Sequence, residues 1–585
     1  MLLIRPTILL FLLLISAGPA SAFMGQPVTA ENGMVVTSQK IASDVGVDIL
    51  KQGGNAIDAA VAVGYALAVV HPCCGNLGGG GFATLHLADG RDLFLNFRER
   101  APYAATETMY LDDKGEVIKG ASLRGYLAVG VPGTVMGLDT LLEKYGSLPR
   151  DVVMAPAIKL AEEGYVLDQG DADILARGTE AFAAEPNVAA IFLKDGKPYQ
   201  AGDRLVQKQL AATLRMIAAE GSAAFYNGPF AEKLAYTIHD RGGIISPNDL
   251  ASYRVTEDPP VRCTYRGYEI ISSPPPSSGG TTICLILNIL EDYKMAELGW
   301  NSAQGIHDMV EAMRHAFVDR NFLLGDPEFV DNPLNKLLSK DYAAEIRTRI
   351  NPDKASTSEE VQPGVPPHEG TQTTHFSVVD ARGNAIGITY TINAYFGAKV
   401  IAGDTGFFLN DEMDDFTIKP GVANMFGLVQ GKANAIAPGK RPLSSMSPTI
   451  VKKDGKVFMV LGSPGGSRII TIVTQAILNV IDHGMTIQEA VNAPRIHHQW
   501  LPDVVAVEPF ALSPDTSKKL EEMGYALKVQ SEWGAAEAIL IGPAETAADE
   551  TQSSGNDAMA TRKPVPGLLY GGHDARRPAG GVSAY

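Results

Sequence analysis

Cysteine is scarce in this sequence, with only four residues in a chain of 585. Cys73 and Cys74 are adjacent, whereas Cys263 and Cys284 lie far from them along the chain. Small disulfide scaffolds have a much higher density of cysteine, and structural zinc sites are typically formed by Cys-x-x-Cys pairs, of which this sequence has none. The low cysteine content argues against both classes of protein and leaves the pairing of the four thiols open.

Positive charge is also in short supply. The sequence has 49 Lys and Arg against 66 Asp and Glu, a formal net charge of −17, and it contains no run rich in Lys or Arg. Proteins that bind the phosphate backbone of nucleic acids normally carry a basic face, so the charge balance argues against a nucleic acid as partner. Because 45% of the residues are hydrophobic and 20% are charged, a globally disordered chain is excluded as well.

Long hydrophobic runs and the motifs of several large enzyme classes are missing too. The apolar stretch Ala56–Val70 is shorter than the about 20 residues of a transmembrane helix, and Asp58 lies in its first turn, so we expect a buried helix. No G-x-S-x-G, P-loop or dinucleotide-binding G-x-G-x-x-G motif occurs. The sequence therefore does not indicate α/β-hydrolase or nucleotide chemistry.

The first 22 residues are typical of a signal peptide. Arg5 is the only charged side chain, residues 8–15 form an apolar run, and Ala20-Ser21-Ala22 is a small-residue cleavage site. An uncleaved membrane anchor is the alternative, although the run is short for a membrane span. We expect an exported protein, periplasmic or secreted, with no stable membrane span.

The rest of the chain predicts strands and helices in a mixed order. Residues 33–100 predict a strand, two helices and a hairpin. Residues 352–372, rich in Pro, Ser and Glu, predict an exposed linker, and a second hairpin with strands over 375–379 and 385–392 follows it. The polar residues 544–563 predict a surface loop. This order predicts an α+β fold with antiparallel hairpins at its centre.

His307, Glu311 and His315 recur every four residues on one predicted helix. Eight helical residues rise about 12 Å, which is too far for all three side chains to hold one tetrahedral zinc ion. We expect them on a solvated helix face. The pair His497-His498 has no spaced partner and is expected to be structural, so we predict no metal site.

Thr373-Thr374-His375 opens a predicted strand directly after the linker. The strand propensity of threonine is sufficient to explain its place. However, a cut before Thr373 would give that residue a free α-amine, which can act as the general base for its own hydroxyl. The junction therefore suggests a second, catalytic interpretation.

Gly462-Ser463-Pro464-Gly465-Gly466-Ser467-Arg468 joins a predicted strand to a predicted helix. Backbone N–H groups at a helix N-terminus can bind an anion, including the oxyanion of an acyl-transfer intermediate. A plain turn between a strand and a helix is the alternative.

These two segments belong to a larger set of motifs that resembles the gamma-glutamyltransferases, also called gamma-glutamyltranspeptidases. The resemblance runs in order from about residue 33 to about residue 540, and it weakens at Asp574-Ala575-Arg576, where the family usually has Asp-Pro-Arg. The other motifs are Gly53-Gly54-Asn55-Ala56-Ile57-Asp58-Ala59-Ala60, Gly75-Asn76-Leu77-Gly78-Gly79-Gly80-Gly81-Phe82, Pro274-Pro275-Pro276 and Arg441-Pro442-Leu443-Ser444-Ser445-Met446-Ser447-Pro448.

The resemblance implies the four-layer αββα sandwich of the N-terminal-nucleophile hydrolases. It also implies that the precursor cuts itself between Gln372 and Thr373, so that residues 23–372 and 373–585 become the large and small subunits of a heterodimer. The γ-glutamyl group of glutathione or a related compound would then pass to water or to the amine of an amino acid or peptide. No metal or organic cofactor is required, since an amine base and backbone donors suffice for acyl transfer.

The resemblance further implies which residues carry the reaction. Thr373 would be the nucleophile, Thr391 its hydroxyl partner, and Gly465 and Gly466 the oxyanion donors. Residues 420–428 resemble the loop that covers the substrate pocket. Some relatives have Tyr where this loop has Phe426, so the loop here is expected to close by apolar contact alone.

A γ-glutamyl group also carries an α-carboxylate and an α-ammonium. The carboxylate needs a bidentate cation and hydroxyl donors, and the resemblance assigns these roles to Arg98, Ser444 and Ser445. The ammonium needs acceptors, and the residues so implied are Asn393, Glu412 and Asp415.

Two other functions remain open at this point. A self-processing acylase of the same superfamily would cleave β-lactam side chains, although a pocket for both charged groups of an amino acid argues against it. A non-enzymatic exported solute-binding protein would not need Thr373 and would run as one chain on a denaturing gel.

Overall fold

The computed structural model describes residues 25–361, 373–542 and 564–585. The predicted signal segment, residues 362–372 of the predicted linker with Gln372, and the polar residues 544–563 lie outside these ranges. In the described residues, the helices α1 to α19 are, in chain order, Lys40–Lys51, Ala56–Val70, Thr134–Tyr145, Arg150–Glu163, Gln169–Ala176, Thr179–Ala184, Pro186–Phe192, Lys208–Glu220, Ser222–Tyr226, Gly228–Asp240, Pro247–Ser252, Gly279–Leu290, Met295–Leu298, Ala303–Leu323, Leu334–Leu337, Lys340–Arg347, Arg468–Ile481, Ile487–Asn492 and Pro514–Glu522.

The strands β1 to β21 of the described residues are Val28–Ala30, Met34–Thr37, Gly80–His86, Asp92–Phe97, Tyr165–Val166, Leu193–Lys194, Lys197–Pro198, Arg204–Leu205, Thr256–Asp258, Val261–Tyr265, Tyr268–Ser272, Thr374–Val379, Ala385–Thr391, Thr449–Lys453, Lys456–Gly462, Ile496–His497, Val505–Val507, Leu527–Val529, Glu537–Ile541, Leu569–His573 and Gly581–Ala584. Short 3₁₀ helices cover Tyr126–Ala128, Glu412–Asp415 and Lys432–Asn434.

Two seven-stranded antiparallel sheets form the centre of the fold. The first has the strand order β1-β20-β19-β15-β14-β11-β10, and the second has the order β21-β2-β12-β13-β3-β4-β9. The sheets pack face to face, because β12 and β13 contact β15 and β19. Helices α1 and α2 cover the second sheet, and α12, α17 and α18 cover the first. This four-layer αββα sandwich confirms the predicted fold class.

The hairpin predicted after the linker forms the middle of the second sheet. Its strands, β12 and β13, lie within two residues of the predicted bounds and pair antiparallel along their length. Asp380 shapes the turn, because its Oδ1 accepts hydrogen bonds from the N–H groups of Arg382 and Asn384 at 2.8 and 3.0 Å. Every residue of both strands is buried, since α2 covers one face of the hairpin and the first sheet covers the other.

His375 lies buried in β12, at the interface of the two sheets. Its ring nitrogens are 2.8 Å from Thr389 Oγ1 and 3.1 Å from Ser377 Oγ, and burial lowers its pKa to about 3, so the ring is neutral. The ring packs directly on Gly462, where a Cβ would come within 2.4 Å of it. A residue without a side chain is therefore needed where the strand before the Gly-rich loop crosses the hairpin.

Asn55 and Asp58 start α2 together. The Asn55 side chain accepts hydrogen bonds from the N–H groups of Ile57 and Asp58 at 2.9 Å, and Asp58 accepts the Asn55 N–H at 2.8 Å, which forms a capping box. The helix is buried along its whole length, as predicted. In the described ranges, no helix combines the length and the apolar character needed to cross a bilayer.

The predicted solvated face of the helix that carries His307, Glu311 and His315 is wrong. All three residues are buried in α14. The hydroxyl of Tyr525 lies 2.8 Å from both His307 Nδ1 and Glu311 Oε1, so a protein partner takes the place of water. Helix periodicity could not reveal this, because the partner is more than 200 residues away in the sequence.

The four cysteines form two disulfide bonds, Cys73–Cys74 and Cys263–Cys284. The adjacent pair supports the loop that follows β13. The Cys74 C=O accepts a hydrogen bond from Ile392 N–H at 3.1 Å, and the Cys73 C=O accepts one from Phe396 N–H at 2.7 Å. These two hydrogen bonds lie on either side of Asn393 in the sequence and fix the main chain beside the predicted site.

Candidate active site

Thr373 and Thr391 lie at the same end of the central hairpin. Thr373 directly precedes β12, and Thr391 is the last residue of β13. Because residues 374 and 390 are direct partners across the two strands, the flanking threonines come close together. Both line one cavity with about 310 Å³ of empty volume.

This cavity brings together nearly all the predicted site residues. Gly465 is not part of the lining but adjoins Gly466, which is, and Gln372 lies outside the described residues. The lining consists of Arg98, Arg320, Thr373, Thr391, Asn393, Glu412, Asp415, Phe426, Leu428, Leu443, Ser444, Ser445, Met446, Gly466, Ser467 and Ile469.

The Gly-rich loop places two backbone N–H groups before the N-terminus of α17. Gly466 has a φ of +56°, and a Cβ there would come within 2.4 Å of the Phe426 ring, so both conformation and space require glycine. Among the described residues, the N–H groups of Gly465 and Gly466 donate to no main-chain carbonyl. They are therefore available to an anion at a helix N-terminus.

Ser444 and Ser445 are held in place by the loop that contains the three consecutive prolines. Ser444 N–H donates to the C=O of Pro276, and Ser278 N–H donates to the C=O of Ser444, both at 2.8 Å. The Ser444 Oγ accepts a hydrogen bond from Met446 N–H at 3.1 Å. The proline loop thus fixes the main chain from which both hydroxyls reach the cavity.

Arg98 follows β4, is fully buried and is surrounded by three carboxylates. Its guanidinium forms ion pairs with Glu412 and Asp415, and with Glu99 at 3.3 Å. The cation predicted to bind a substrate carboxylate is therefore paired with two residues predicted to bind a substrate ammonium. The opposite charges that an amino-acid head group requires lie side by side in this cavity.

Burial changes the protonation of two carboxyl groups beside Arg98, those of Glu99 and Glu412. Burial raises the pKa of Glu99 to about 7 and the pKa of Glu412 well above its ordinary value. The neighbouring carboxylate of Asp415 adds to both increases, whereas Arg98 opposes them. A positive group that enters the cavity would stabilise the ionised forms.

Asn393 stands between Thr391 and the predicted covering loop. It has a φ of +69°, its N–H donates to Thr391 Oγ1 at 2.8 Å, and its Nδ2 donates to the C=O of Asp411 at 3.0 Å. From the covering loop, the Met425 sulfur approaches Asn393 Nδ2 to 3.6 Å, and the buried Phe426 ring packs on Gly466. The expected closure by apolar contact alone is wrong, because Met425 N–H also donates to Asp414 Oδ2 at 3.0 Å and Gln499 Nε2 donates to the Phe426 C=O at 3.2 Å.

Three further residues at the site were not found from the sequence. Arg320 lines the cavity from α14, Glu99 pairs with Arg98, and Met425 contacts Asn393. Glu99 follows Arg98 directly, and Met425 precedes Phe426, so their neighbours could have indicated them. Arg320 carries no such signal, since α14 has charged residues on all sides.

Comparison with known proteins gives a consistent result. A family model described as gamma-glutamyltranspeptidase matches residues 42–561. The chain is 58% identical over 560 residues to a glutathione hydrolase proenzyme from Pseudomonas sp. (strain A14), which covers 96% of this chain and 95% of that protein. It is 51% identical over 519 residues to a glutathione hydrolase proenzyme from Escherichia coli (strain K12), with 88% and 89% covered.

Among solved structures, the fold is similar to the crystal structure of a cephalosporin acylase from Bacillus halodurans. The TM-score is 0.82 at 28% sequence identity, and the match covers 98% of this chain and 99% of that one.

Proposed function

Because the chain belongs to the gamma-glutamyltranspeptidase family, we propose that it is a self-cleaving γ-glutamyltransferase and glutathione hydrolase. The observation that carries this proposal is the single cavity in which Thr373 meets side chains of opposite charge, namely Arg98 with Glu412 and Asp415. This combination suits an acyl group with both an α-carboxylate and an α-ammonium. The donors are glutathione and other γ-glutamyl compounds, and the acceptors are water, amino acids or peptides.

Maturation begins with an attack of the Thr373 hydroxyl on the C=O of Gln372. The peptide C–N bond breaks as the nitrogen takes up the hydroxyl proton, and water then hydrolyses the resulting ester. Residues 23–372 and 373–585 become two chains that stay together. This is supported by the second sheet, in which β12, β13 and β21 pair with β2 and β3 from before the cleavage point.

Turnover uses the α-amine that cleavage releases. The amine takes the proton from the Thr373 hydroxyl while the oxygen attacks the γ-carbonyl, and the N–H groups of Gly465 and Gly466 stabilise the oxyanion. The C–N bond of the donor breaks, and the leaving amine takes the proton. Water or an acceptor amine then attacks the acyl-enzyme ester and regenerates Thr373. Thr391, whose Oγ1 accepts the Asn393 N–H, orients the nucleophile.

The head group of the donor is bound by exchange of ion pairs. The carboxylate of the donor would bind to Arg98, Ser444 and Ser445. The ammonium of the donor would bind to Asn393, Glu412 and Asp415. The ion pairs that Arg98 forms with the two acidic residues are replaced by pairs with the substrate, and because the head group brings one charge of each sign, the net charge of the site does not change.

Cleavage and turnover are tested with two substitutions at one residue. Thr373→Ala removes the hydroxyl and should give one uncut, inactive chain on a denaturing gel, whereas Thr373→Ser keeps a hydroxyl and should give two chains. N-terminal sequencing of the smaller wild-type chain should begin at Thr373, and glutamate should be released from a γ-glutamyl anilide. Two chains from Thr373→Ala, or a wild type that releases no glutamate, would overturn the proposal.

A β-lactam side-chain acylase is the second candidate function, and the likeness to the cephalosporin acylase of Bacillus halodurans favours it. A glutaryl side chain has a carboxylate but no ammonium. If this were the natural substrate, kcat/KM for a glutaryl donor would equal or exceed that for the γ-glutamyl donor. We expect the reverse, because a glutaryl donor whose carboxylate binds Arg98 supplies no ammonium to pair with Glu412 and Asp415 in its place.

We also infer that the protein is exported to the periplasm or the medium. The charge, apolar run and small residues of the first 22 positions support this, and the two disulfides suit an oxidising compartment. Fractionation of producing cells should find the mature chains outside the cytoplasm. Deletion of residues 1–22 should leave the protein in the cytoplasm.

A further inference from the structure

Arg320 is a buried cation in the wall of the active-site cavity. It lies near the C-terminal end of α14 and is 1% exposed. Its Nε donates to Ser278 Oγ at 3.0 Å, its Nη1 to Asn321 Oδ1 at 3.0 Å and to Gln430 Oε1 at 3.1 Å, and its Nη2 to Ser445 Oγ at 3.1 Å. All four acceptors are neutral.

This set of partners distinguishes Arg320 from the other deeply buried arginines. Arg98, Arg314 and Arg495 each form an ion pair with at least one carboxylate. In the described part of the chain, no carboxylate lies within ion-pair distance of Arg320. Burial lowers the pKa of Arg320 to about 10, and the more distant Asp415 opposes this change, so the guanidinium still carries its charge at neutral pH. A buried charge without a counter-ion is costly unless a ligand supplies one.

The bond to Ser445 also fixes the direction of a hydroxyl. A guanidinium can only donate, so Ser445 Oγ must accept from Arg320, and the Ser445 hydrogen remains for an acceptor in the cavity. Ser444 is in the same state, because its Oγ accepts from Met446 N–H. The two adjacent serines thus present two donor hydrogens, as a carboxylate requires.

The charges around the cavity show why Arg98 alone is insufficient. Arg98 is already paired with Glu99, Glu412 and Asp415, and in their ionised forms these groups repel an incoming carboxylate. Arg320 is the remaining cation among the lining residues. We propose that Arg320 is a positioning residue for the donor α-carboxylate: it supplies the second positive charge and holds the Ser445 hydroxyl as a donor to that group. This inference rests on the proposed function.

The test compares three anilide donors that differ only in the head group. The γ-glutamyl donor has both charged groups, the glutaryl donor lacks the ammonium, and the 4-aminobutyryl donor lacks the carboxylate. Arg320→Lys keeps the charge but loses the planar donor set that reaches Ser445. We expect kcat/KM to fall about tenfold to a hundredfold for the two donors with a carboxylate, and by less than about twofold for 4-aminobutyryl.

Arg314→Lys is the matched control. Arg314 is buried on the same helix and pairs with Asp503, away from the cavity lining. Any loss caused by disturbing α14 should therefore affect all three donors equally. A milder second variant, Asn321→Ala, removes one acceptor of Arg320 while the guanidinium and Ser445 stay. Asn321→Ala should lower kcat/KM about twofold to fivefold for the two donors with a carboxylate only. If Arg320→Lys does not fold, Asn321→Ala tests the role of Arg320 in its place.

The outcomes separate this inference from the proposed function. If wild type turns over no γ-glutamyl donor, the proposed function fails, and calorimetry then decides on Arg320. Wild type should bind L-glutamate more tightly than 4-aminobutyrate, and Arg320→Lys should lose that preference. If the donor ratios in Arg320→Lys and Asn321→Ala equal those of an active wild type, or if calorimetry shows an unchanged preference, the role assigned to Arg320 is refuted.

Discussion

Replacing Glu412 by glutamine removes one of the three carboxylates around Arg98, and the structure predicts a more stable protein at pH 8. Glu412 Oε1 is bonded to Arg98, but its Oε2 is buried without a hydrogen-bond partner among the described residues. Glu99 Oε1 is likewise buried without a hydrogen-bond partner among the described residues. A glutamine keeps a carbonyl oxygen for Arg98 and offers N–H donors to the remaining carboxylates.

The size of the effect follows from the unpaired oxygen. A buried polar atom without a partner costs about 1–3 kcal/mol, so Glu412→Gln should raise the free energy of unfolding by roughly that amount at pH 8. For a chain of this length the unfolding entropy is large, and the gain corresponds to a rise in Tm of roughly 1–3 °C.

The gain must depend on pH, with a definite sign. A carboxyl group whose pKa is raised in the folded state binds more protons when folded than when unfolded, so wild-type stability is highest below the unfolded pKa and falls as pH rises through the folded pKa. For Glu99 this window runs from 4.5 to about 7, and the pKa of Glu412 is also raised. In Glu412→Gln, the carboxyl group of residue 412 no longer titrates. The advantage of the variant over wild type should therefore be small at pH 5 and large at pH 8.

Calorimetric scans of the processed protein at pH 5 and pH 8, at one scan rate, measure this difference. Glu220→Gln, on the exposed end of α8, is the control and should change Tm equally at both pH values. An equal Tm difference for Glu412→Gln at the two pH values, or a variant less stable than wild type at pH 8, would refute the reasoning.

Three predictions concern turnover. Arg98→Lys loses the planar fork, so kcat/KM for γ-glutamyl donors should fall strongly while self-cleavage on a gel persists, and an unchanged kcat/KM would remove Arg98 from carboxylate binding. Asp415→Asn should weaken the preference for γ-glutamyl over glutaryl donors by about 1.5–3 kcal/mol, and an intact preference in the same assay would contradict the ammonium role. Phe426→Tyr should slow bulky donors more than small ones, whereas Phe426→Ala should speed their entry and raise the share of hydrolysis; equal effects on large and small donors would argue against a covering role.

The strands around the two central hairpins were predictable from the sequence, because their signal is local, whereas β10, β11, β19, β20 and β21 of the same sheets were not predicted. The hairpin after the linker alternates around a turn that Asp380 and Gly383 mark, and its bounds were correct to within two residues. The starts of α2 and α17 were also marked by local residues, namely the Asn55 cap and the Gly-rich loop. The gathering of Thr373, Arg98 and Ser444 in one cavity followed from family motifs, since no local pattern relates residues hundreds of positions apart.

What the sequence could not predict depends on partners that are distant in the chain. His307 and Glu311 are buried because Tyr525 packs on them. Arg320 is buried because two serines, an asparagine and a glutamine accept its N–H groups. Charged residues on a helix are usually solvated, so the ordinary expectation fails wherever tertiary contacts supply the hydrogen bonds. The cysteine pairing belongs to the same class, because adjacent thiols are compatible with either pairing or freedom.

The charges in the cavity favour an amino-acid head group over a plain dicarboxylic acyl group. Two buried cations, Arg98 and Arg320, stand against three buried carboxyl groups, so the site carries an excess of negative charge when all three are ionised. A γ-glutamyl head group is neutral overall and supplies one charge of each sign, which lets Arg98 exchange its partners without adding to that excess. A glutaryl group brings only a carboxylate and increases the repulsion, unless a carboxyl such as Glu99, whose pKa burial raises to about 7, takes up a proton. Discrimination between the two acyl groups thus comes from charge balance, in addition to the shape of the cavity.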